Sequence, residues 1–153
     1  MHRYDRQTLL SVAREGFVRT RRIRFQEVDA AGIIFYSTVF DYCHDLYVEY
    51  LDAHGVSLVD VLARGHWAAP IRHAEADYLR PLRFGDEVSV ALPVAHLAES
   101  ELTLGYRIVH TGSQQAAVVV QTVHTFVALP DFKRCAVPEE IYQSFQPLVE
   151  STA

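Results

Sequence analysis

The spacing of hydrophobic residues changes along this chain, and the changes predict its elements. Over residues 17–25, β-branched and aromatic residues stand among arginines, which is typical of a strand with one exposed face. Over residues 39–51, apolar residues recur at three- and four-residue spacing, which predicts a helix with a wide buried stripe. Ser37 or Thr38 can cap this helix, and Gly55 can end it.

A period of two follows, after a second short helical stretch at residues 58–63. Four strand-like stretches are separated by turn residues, and the last is apolar on both faces in its first half, as a central strand is. These stretches are residues 74–78, 88–94, 102–108 and 116–129. Their short connections predict antiparallel neighbours, and a short helix is predicted from Pro138. The sequence therefore predicts an α+β fold: one antiparallel sheet of about five strands against one long helix.

Length and composition add the domain count and the compartment. The 153 residues contain no repeat, low-complexity tract or linker, so we predict an N-terminal extension at residues 1–16, a short helix or a loose arm, and a single domain over residues 17–153. The net charge of −5 argues against general nucleic-acid binding. No apolar run approaches the roughly 20 residues of a membrane span, so no membrane insertion is expected. Two cysteines without a CxxC motif, and no signal-peptide pattern, favour a cytoplasmic protein.

Missing motifs argue against several catalytic classes. The sequence has no GxSxG elbow, no GxGxxG fingerprint and no P-loop, which disfavours serine hydrolysis, dinucleotide redox chemistry and nucleotide hydrolysis. Its eight histidines form neither HxxxH nor HExxH. Asp41, His44 and Asp45 share one face of the long helix, and a polar stripe is favoured there over an ion site. No metal and no cofactor are expected.

The segment from Phe25 to Tyr36 carries the strongest chemical signal. It places the carboxylate of Asp29 after a strand, then small residues, then an apolar run that leads into the N-terminus of the long helix. Unpaired N–H groups at a helix N-terminus can polarise a carbonyl and stabilise an oxyanion, while a nearby carboxylate attacks that carbonyl or activates water. The combination suits hydrolysis of an activated acyl group such as a thioester. Taken alone, Asp29 is better interpreted as a turn or cap residue.

The stretch from Asp29 to Tyr36 resembles the D-x-x-G-[IV]-[IV]-[FWY]-[YH] signature of the 4-hydroxybenzoyl-CoA thioesterase family, which includes the acyl-CoA thioesterases associated with the Tol–Pal system. The similarity covers roughly residues 17–142. It continues through residues 40–42, 49–51, 77–88 and 106–109. The resemblance implies the hotdog fold, in which an antiparallel sheet wraps a long central helix. It also implies an active site at the subunit interface of a homodimer or homotetramer.

The resemblance assigns a role to each matching residue. Asp29 is expected to act as nucleophile or general base, and Gly32 to allow close approach of the backbone to the thioester. Tyr36 is expected to mark the oxyanion-binding N–H at the start of the helix. The expected substrate-binding residues are Ile33, Phe35, His44, Arg80 and Arg83.

Two departures from the family pattern concern the substrate. Many relatives carry a glutamate on the central helix where this chain has His44, which is predicted to orient water, to orient neighbours of Asp29 or only to pack. Aromatic-acyl relatives carry a basic cluster for the CoA phosphates where this chain has Ala98-Glu99-Ser100-Glu101, and two carboxylates would repel a phosphate there. Either CoA is held elsewhere, or the carrier is an acyl carrier protein.

These observations predict an acyl-CoA thioesterase that hydrolyses an aromatic or short-to-medium acyl-CoA to the free acid and CoA. One alternative is an acyl-carrier-protein thioesterase of polyketide or fatty-acid metabolism. A second is a hotdog dehydratase, which the Asp29 signature disfavours. A third is a non-catalytic acyl-binding protein of the same fold.

Overall fold

Five antiparallel strands form the main sheet in the computed structural model, which describes residues 1–150. The strands are β1 (Phe17–Arg22), β3 (Ile71–Tyr78), β4 (Glu87–Leu97), β5 (Glu101–His110) and β6 (Gln115–Thr125). A small second sheet joins β2 (Trp67–Ala68), β7 (Val127–Ala128) and β8 (Lys133–Arg134). The helices are α1 (Arg6–Ser11), α2 (Thr38–Ala53), α3 (Leu58–Arg64) and α4 (Glu139–Phe145). The predicted α+β hotdog architecture is confirmed; the last three residues of the predicted domain 17–153 lie outside the described part of the chain.

The strand order β1-β4-β5-β6-β3 corrects one expected pairing. The short connection over residues 79–86 suggested that β3 and β4 are neighbours, whereas β3 pairs with β6 and β4 pairs with β1. The connection instead crosses the end of the sheet. Leu82 is buried in the core along this crossing, and its carbonyl accepts a 2.8 Å hydrogen bond from the Ile34 N–H. The burial of Leu82 and its backbone hydrogen bond thus fix the crossing segment in place, although this segment is as short as a hairpin connection.

The helix α2 is buried along most of its length, as the spacing of its apolar residues predicts. Val39, Leu46 and Leu51 are fully buried against the inner face of the sheet. Ser37 occupies the N-cap position, although its side chain makes no capping hydrogen bond, and the helix ends before Gly55, whose φ is +79°. Burial of each such side chain stabilises the fold by about 1.5–3 kcal/mol. In the part of the chain described here, no helix is long and apolar enough to cross a membrane.

The N-terminal arm (residues 1–15) lies across the outer face of the sheet, opposite α2. Leu9 of α1 packs against Val94 and Val119 in a small hydrophobic cluster separate from the main core. The Arg107 guanidinium donates to three backbone carbonyls at the end of α1, at 3.1–3.2 Å. The stretch interpreted as a short helix or a loose arm is therefore a short helix within a docked arm.

Candidate active site

Asp29 lies in a tight loop between β1 and α2. Its N–H donates to the Ile33 carbonyl and its carbonyl accepts from the Gly32 N–H, both at 2.9 Å. Its Oδ1 accepts a 2.8 Å hydrogen bond from the Ala31 N–H, so one carboxylate oxygen shapes the turn. Gly32 has a φ of +74°, a conformation that strains any residue with a side chain. The other oxygen of the exposed Asp29 carboxylate has no hydrogen-bond donor among residues 1–150, so it is free to meet a substrate or water.

The loop that carries Asp29 is held in place by Glu27, a residue that the sequence did not single out. The Phe35 N–H donates to the Glu27 carbonyl at 2.8 Å. The Glu27 carboxylate accepts from the Tyr42 hydroxyl at 2.7 Å and from the Arg24 N–H at 2.8 Å. Burial opposes ionisation of Glu27, but these donors and the Arg24 guanidinium outweigh it and lower the pKa of the carboxyl. The ionised Glu27 residue therefore links the loop to α2.

Tyr36 ends the loop two residues before α2 begins at Thr38. The Phe35 carbonyl accepts a 3.0 Å hydrogen bond from the Thr38 N–H. In a planar trans peptide the N–H points opposite to the carbonyl, so the Tyr36 N–H points away from the helix. No acceptor for this N–H lies within the described residues. The Tyr36 carbonyl accepts from the Tyr78 hydroxyl of β3, which ties the loop to the edge of the sheet.

Two cavities follow one another along α2. The front cavity, of about 240 Å³, lies beside the first two turns of α2. The rear cavity, of about 170 Å³, lies further along the helix and is closed by α3 and β2. The front cavity is lined by Phe40, Asp41, His44, Ile71, Ala74, Tyr106 and Thr122. The rear cavity is lined by His44, Tyr47, Leu58, Val61, Leu62, Trp67, Ala68, Ala69 and His124. His44 belongs to both walls, and its ring stacks on Tyr47 with centroids 5.6 Å apart.

The other residues expected to bind substrate divide into two groups. Ile33 and Phe35 lie in the Asp29 loop, where Ile33 packs on the core and Phe35 is exposed beside Tyr36. Arg83 joins them through a β-bridge to Ile33. Arg80 lies on the same crossing segment, tied to β6 by its backbone. Neither arginine has a carboxylate within 4.0 Å in residues 1–150, so both guanidinium groups are available for an anion.

The acidic stretch at residues 98–101 differs from its expected behaviour. Glu101 is only 8% exposed, and its carboxylate contacts the guanidinium groups of Arg72 and Arg134, with the N-terminal amine at 4.0 Å. One carboxylate therefore faces three cations. The expectation that Glu101 repels a phosphate is wrong, because these cations arrive from three distant parts of the sequence.

The arginines of the first strand are also largely committed to partners within the chain. Arg19 and Arg21 both form ion pairs with Glu49 of α2, and Arg24 pairs with Glu27. They hold β1 and the loop against the helix. Among the described residues Arg22 has no carboxylate within 4.0 Å either, but Arg80 and Arg83 lie on the crossing segment that is bridged to the Asp29 loop, so they are the better candidates for a phosphate.

Comparison with known proteins agrees with the fold. Residues 23–145 match the Thioesterase-like superfamily. The chain is 32% identical over 127 residues to 1,4-dihydroxy-2-naphthoyl-CoA hydrolase of Synechococcus elongatus, covering 82% of this chain and 92% of that protein. It is 28% identical over 123 residues to the enzyme of the same name from Synechocystis, with coverage of 80% and 89%. The crystal structure of a 1,4-dihydroxy-2-naphthoyl-CoA thioesterase from Synechocystis superposes with a TM-score of 0.80 at 26% identity, covering 84% of this chain and 94% of the other.

The chain therefore belongs to the Thioesterase-like superfamily. It is a hotdog-fold thioester hydrolase, as the Asp29 signature and the layered fold predict.

Proposed function

We propose that this enzyme hydrolyses the thioester of an aromatic acyl-CoA, releasing the aryl carboxylic acid and CoA. One observation carries the proposal: Asp29 and the unpaired Tyr36 N–H lie on the loop that leads into α2, and a cavity with aromatic residues in its wall lies beside the first two turns of that helix. The curated relatives, which are named for a hydroxylated naphthoyl-CoA, support an aryl substrate. The proposal narrows the acyl group, which the sequence leaves open between aromatic and short-to-medium chains, to an aromatic one.

In the proposed reaction, the thioester carbonyl oxygen lies against the Tyr36 N–H, which stabilises the negative charge that develops on it. The free oxygen of Asp29 either attacks the carbonyl carbon or removes a proton from an attacking water. In the first case CoA leaves as thiolate and water then hydrolyses the aspartyl anhydride; in the second, the acid and CoA form in one addition–elimination. Glu27 and the Tyr78 hydroxyl position the loop without touching the reacting atoms.

The other proposed binding roles follow from position. Ile33 and Phe35 flank the reacting carbonyl, and His44 contacts the acyl group in the front cavity. The guanidinium groups of Arg80 and Arg83 hold the CoA phosphates, since both are exposed and without a carboxylate partner in the described chain.

The edge strand β3 supports a homodimer, or a tetramer built from such dimers. Within residues 1–150 this eight-residue strand has only β6 as a neighbour, so its other edge is unpaired. Ile71 and Tyr78 are exposed on it. A long edge with exposed apolar residues favours pairing with a second copy, and Tyr78 would bring that interface to the Asp29 loop. Light scattering of the purified protein measures this directly: a monomeric mass contradicts it.

The proposed function is tested by release of CoA thiol from 1,4-dihydroxy-2-naphthoyl-, benzoyl-, butyryl- and hexanoyl-CoA. We expect the aryl esters to be the best substrates. Asp29→Asn keeps the turn-forming oxygen but removes the nucleophile or base, so kcat should fall by about 1,000-fold, within the range for loss of a catalytic acid or base. The matched control is Asp52→Asn at the far exposed end of α2, for which we expect wild-type kcat.

Two results contradict the proposal. An Asp29→Asn variant that retains more than about a tenth of the wild-type kcat excludes the role of this carboxylate. Hydrolysis of acyl-carrier-protein thioesters by a wild-type enzyme that is slow on every CoA ester excludes CoA as the carrier.

A further inference from the structure

Exposed phenylalanines are concentrated around the loop that carries Asp29. Four of the eight phenylalanines in the chain are exposed: Phe25, Phe35, Phe84 and Phe132. Phe25 and Phe35 lie in the loop itself and Phe84 on the crossing segment bonded to it, whereas Phe132 lies in the turn between β7 and β8. Single apolar residues are ordinary at a protein surface, but a group of large ones marks a binding site.

Phe25 and Phe84 form an exposed aromatic pair. Their rings meet edge to face with centroids 5.6 Å apart, yet Phe25 remains 75% exposed and Phe84 57% exposed. The backbone holds the pair in place, because the Phe84 N–H donates to the Gly32 carbonyl at 3.2 Å and the Gly85 N–H donates to the Ile23 carbonyl at 2.9 Å. Neither ring belongs to the hydrophobic clusters formed by residues 1–150, so core packing does not explain the pair.

A short and open path joins the aromatic pair to Asp29. The Asp29 carbonyl accepts from the Gly32 N–H, and the Gly32 carbonyl accepts from the Phe84 N–H. Since hydrogen-bonded neighbouring segments lie about 5 Å apart, the pair begins roughly 10 Å from Asp29. A Cβ placed on Gly32 would have no heavy atom within 4 Å beyond its chain neighbours in the described structure. An extended ligand therefore has room to run from Asp29 over Gly32 to the pair.

The pantetheine arm of CoA fits this path in length and in chemistry. It has about as many backbone bonds as four extended residues, so it spans roughly 14 Å from the thioester to the first phosphate. Its pantoyl end carries a dimethyl-substituted carbon, an apolar group that suits an aromatic surface. The arm then ends in phosphates, and the exposed Arg83, which is proposed to hold them, immediately precedes Phe84.

We propose that Phe25 and Phe84 form a pantetheine-binding subsite, in which the two rings pack on the pantoyl dimethyl group of the acyl-CoA. Asp29, the aromatic pair and Arg83 then follow one another along the surface in the same order as the thioester, the pantoyl group and the phosphates of the substrate. The inference rests on the proposed function and adds how the site recognises the carrier. Binding energy from such a remote group can lower the barrier at the reacting carbonyl.

Three thioesters of 1,4-dihydroxy-2-naphthoic acid, which differ only in the length of the carrier, test the inference. The N-acetylcysteamine ester ends before the pantoyl group, the pantetheine ester contains it without the phosphates, and the CoA ester contains both. Phe84→Ala should lower kcat/KM about tenfold for the pantetheine and CoA esters and leave the N-acetylcysteamine ester within about twofold, because only the longer esters reach the rings. We expect the same pattern in Phe25→Ala.

Two further variants control for other roles of the pair. Phe132→Ala removes an equally exposed phenylalanine elsewhere and should keep wild-type kcat/KM on all three esters. Phe84→Leu keeps an apolar side chain and should retain most of the wild-type kcat/KM on the pantetheine ester. Equal losses on all three esters in Phe84→Ala overturn the inference, since the ring then only supports the Asp29 loop. An unchanged rate on the pantetheine ester, or a change of subunit number in light scattering, overturns it too.

Calorimetry separates failure of this inference from failure of the proposed function. A wild type that hydrolyses none of the three esters contradicts the proposed function, but binding still tests the subsite. Free CoA contains the pantetheine arm, whereas adenosine 3′,5′-bisphosphate contains only the nucleotide end. In Phe84→Ala, a loss of affinity for CoA of about tenfold with unchanged affinity for the bisphosphate supports the inference. A loss for both ligands or for neither, or a wild type that does not bind CoA, overturns it.

Discussion

The two faces of the main sheet are filled in opposite ways, although the same strands supply both. On the outer face, the arm packs so closely that a Cβ on Gly105 would lie 2.5 Å from the Leu9 side chain and 2.8 Å from Val94. The Gln121 amide forms two hydrogen bonds there with the backbone of Tyr4, at 2.7 and 2.8 Å, and donates a third to the Glu75 carboxylate. On the inner face, two cavities remain beside α2, whereas the cavity of about 440 Å³ on the arm side is lined by Thr8, residues 11–14 and Glu150 and by no residue of the main sheet.

The contrast is sharpest within β6, where neighbouring residues face opposite ways. Gln121 faces the arm and is held by its hydrogen bonds, whereas His124 lies in the wall of the rear cavity. On the outer face, Nε2 of His2 is buried without a hydrogen-bond partner among residues 1–150, but that ring stacks on His96 at 3.9 Å and lines neither of the two cavities. Because protein interiors are normally close-packed, space retained on one face of a well-packed sheet indicates a ligand site.

The largest expected effect on stability comes from pH and separates the two faces. Burial lowers the pKa of His124 to about 4 in the folded protein, against 6.5 in the unfolded chain, so between these values the unfolded state binds more protons. The stabilisation is fully present above pH 6.5 and declines toward pH 4. The difference of about 2.5 pKa units corresponds to about 3 kcal/mol of unfolding free energy. Urea unfolding from pH 7 to pH 4 should show this loss in wild type and a flatter profile in His124→Phe.

Other groups share the sign of this dependence, and the carboxyl of Glu27 differs from His124 in its range. The pKa of Glu27 is lowered by its donors, so its stabilisation is lost only below about pH 4.5, after most of the His124 effect. His2 also has a lowered pKa, first through burial and then through His96. The variant His2→Gln therefore measures how much of the pH dependence of stability comes from the N-terminal arm. A wild-type profile that is flat between pH 6.5 and 4.5 contradicts the assignment of a neutral, buried His124.

A substitution under the arm should change stability without changing catalysis. Gly105→Ala forces the Leu9 and Val94 side chains to move, and overpacking of this kind costs about 1–3 kcal/mol. We expect kcat/KM for the aryl ester to remain within about twofold, since the arm lies opposite the cavities.

The double variant Gly105→Ala with Leu9→Ala supplies the control for that prediction. Removal of the Leu9 side chain makes room for the new methyl group. The double variant should therefore lose less stability than the sum of the losses in the two single variants. Thermal unfolding and thiol release measure the two quantities in parallel. A large loss of activity in folded Gly105→Ala protein would show that the two faces are coupled.

The smallest expected effect concerns Arg83, at the end of the site proposed to bind the CoA phosphates. Arg83→Ala should raise KM for 1,4-dihydroxy-2-naphthoyl-CoA by about tenfold, the equivalent of about 1.4 kcal/mol for one lost phosphate contact. It should leave KM for the N-acetylcysteamine thioester of the same acid unchanged, because that ester carries no phosphate. Arg22→Ala, an exposed arginine of β1, is the matched control. Equal effects on both esters would place Arg83 at the acyl end instead.

The parts of the fold that depend on local spacing could be predicted from the sequence. The apolar repeat predicted α2 within two residues of its ends, and the alternation predicted the strands. Which strands are neighbours could not be predicted, because residues 79–86 have the length of a hairpin although β3 and β4 do not pair. Docking of the arm could not be predicted from the sequence either, because it depends on Gly105 and Arg107, about 100 residues away.

The same distinction holds in the candidate site: features set by residues close in sequence could be predicted, and features set by distant residues could not. Asp29, Gly32 and Tyr36 lie close together in sequence, so one motif predicts the candidate catalytic loop. The environment of Glu101 could not be predicted, because its cations come from residues 1, 72 and 134. His124 left one signal, a histidine in an otherwise apolar central strand, but its place in the wall of the rear cavity is a property of packing.

The most direct test of the account is a crystal structure of the Asp29→Asn variant with 1,4-dihydroxy-2-naphthoyl-CoA bound. We expect the thioester carbonyl oxygen within about 2.7–3.2 Å of the Tyr36 nitrogen, a normal hydrogen-bond distance, with the aryl group along α2 between Phe40 and His124. The arm should keep its place on the outer face. An aryl group bound outside the two cavities, or a carbonyl oxygen remote from the Tyr36 N–H, would contradict the assignment of the inner face as the site of catalysis.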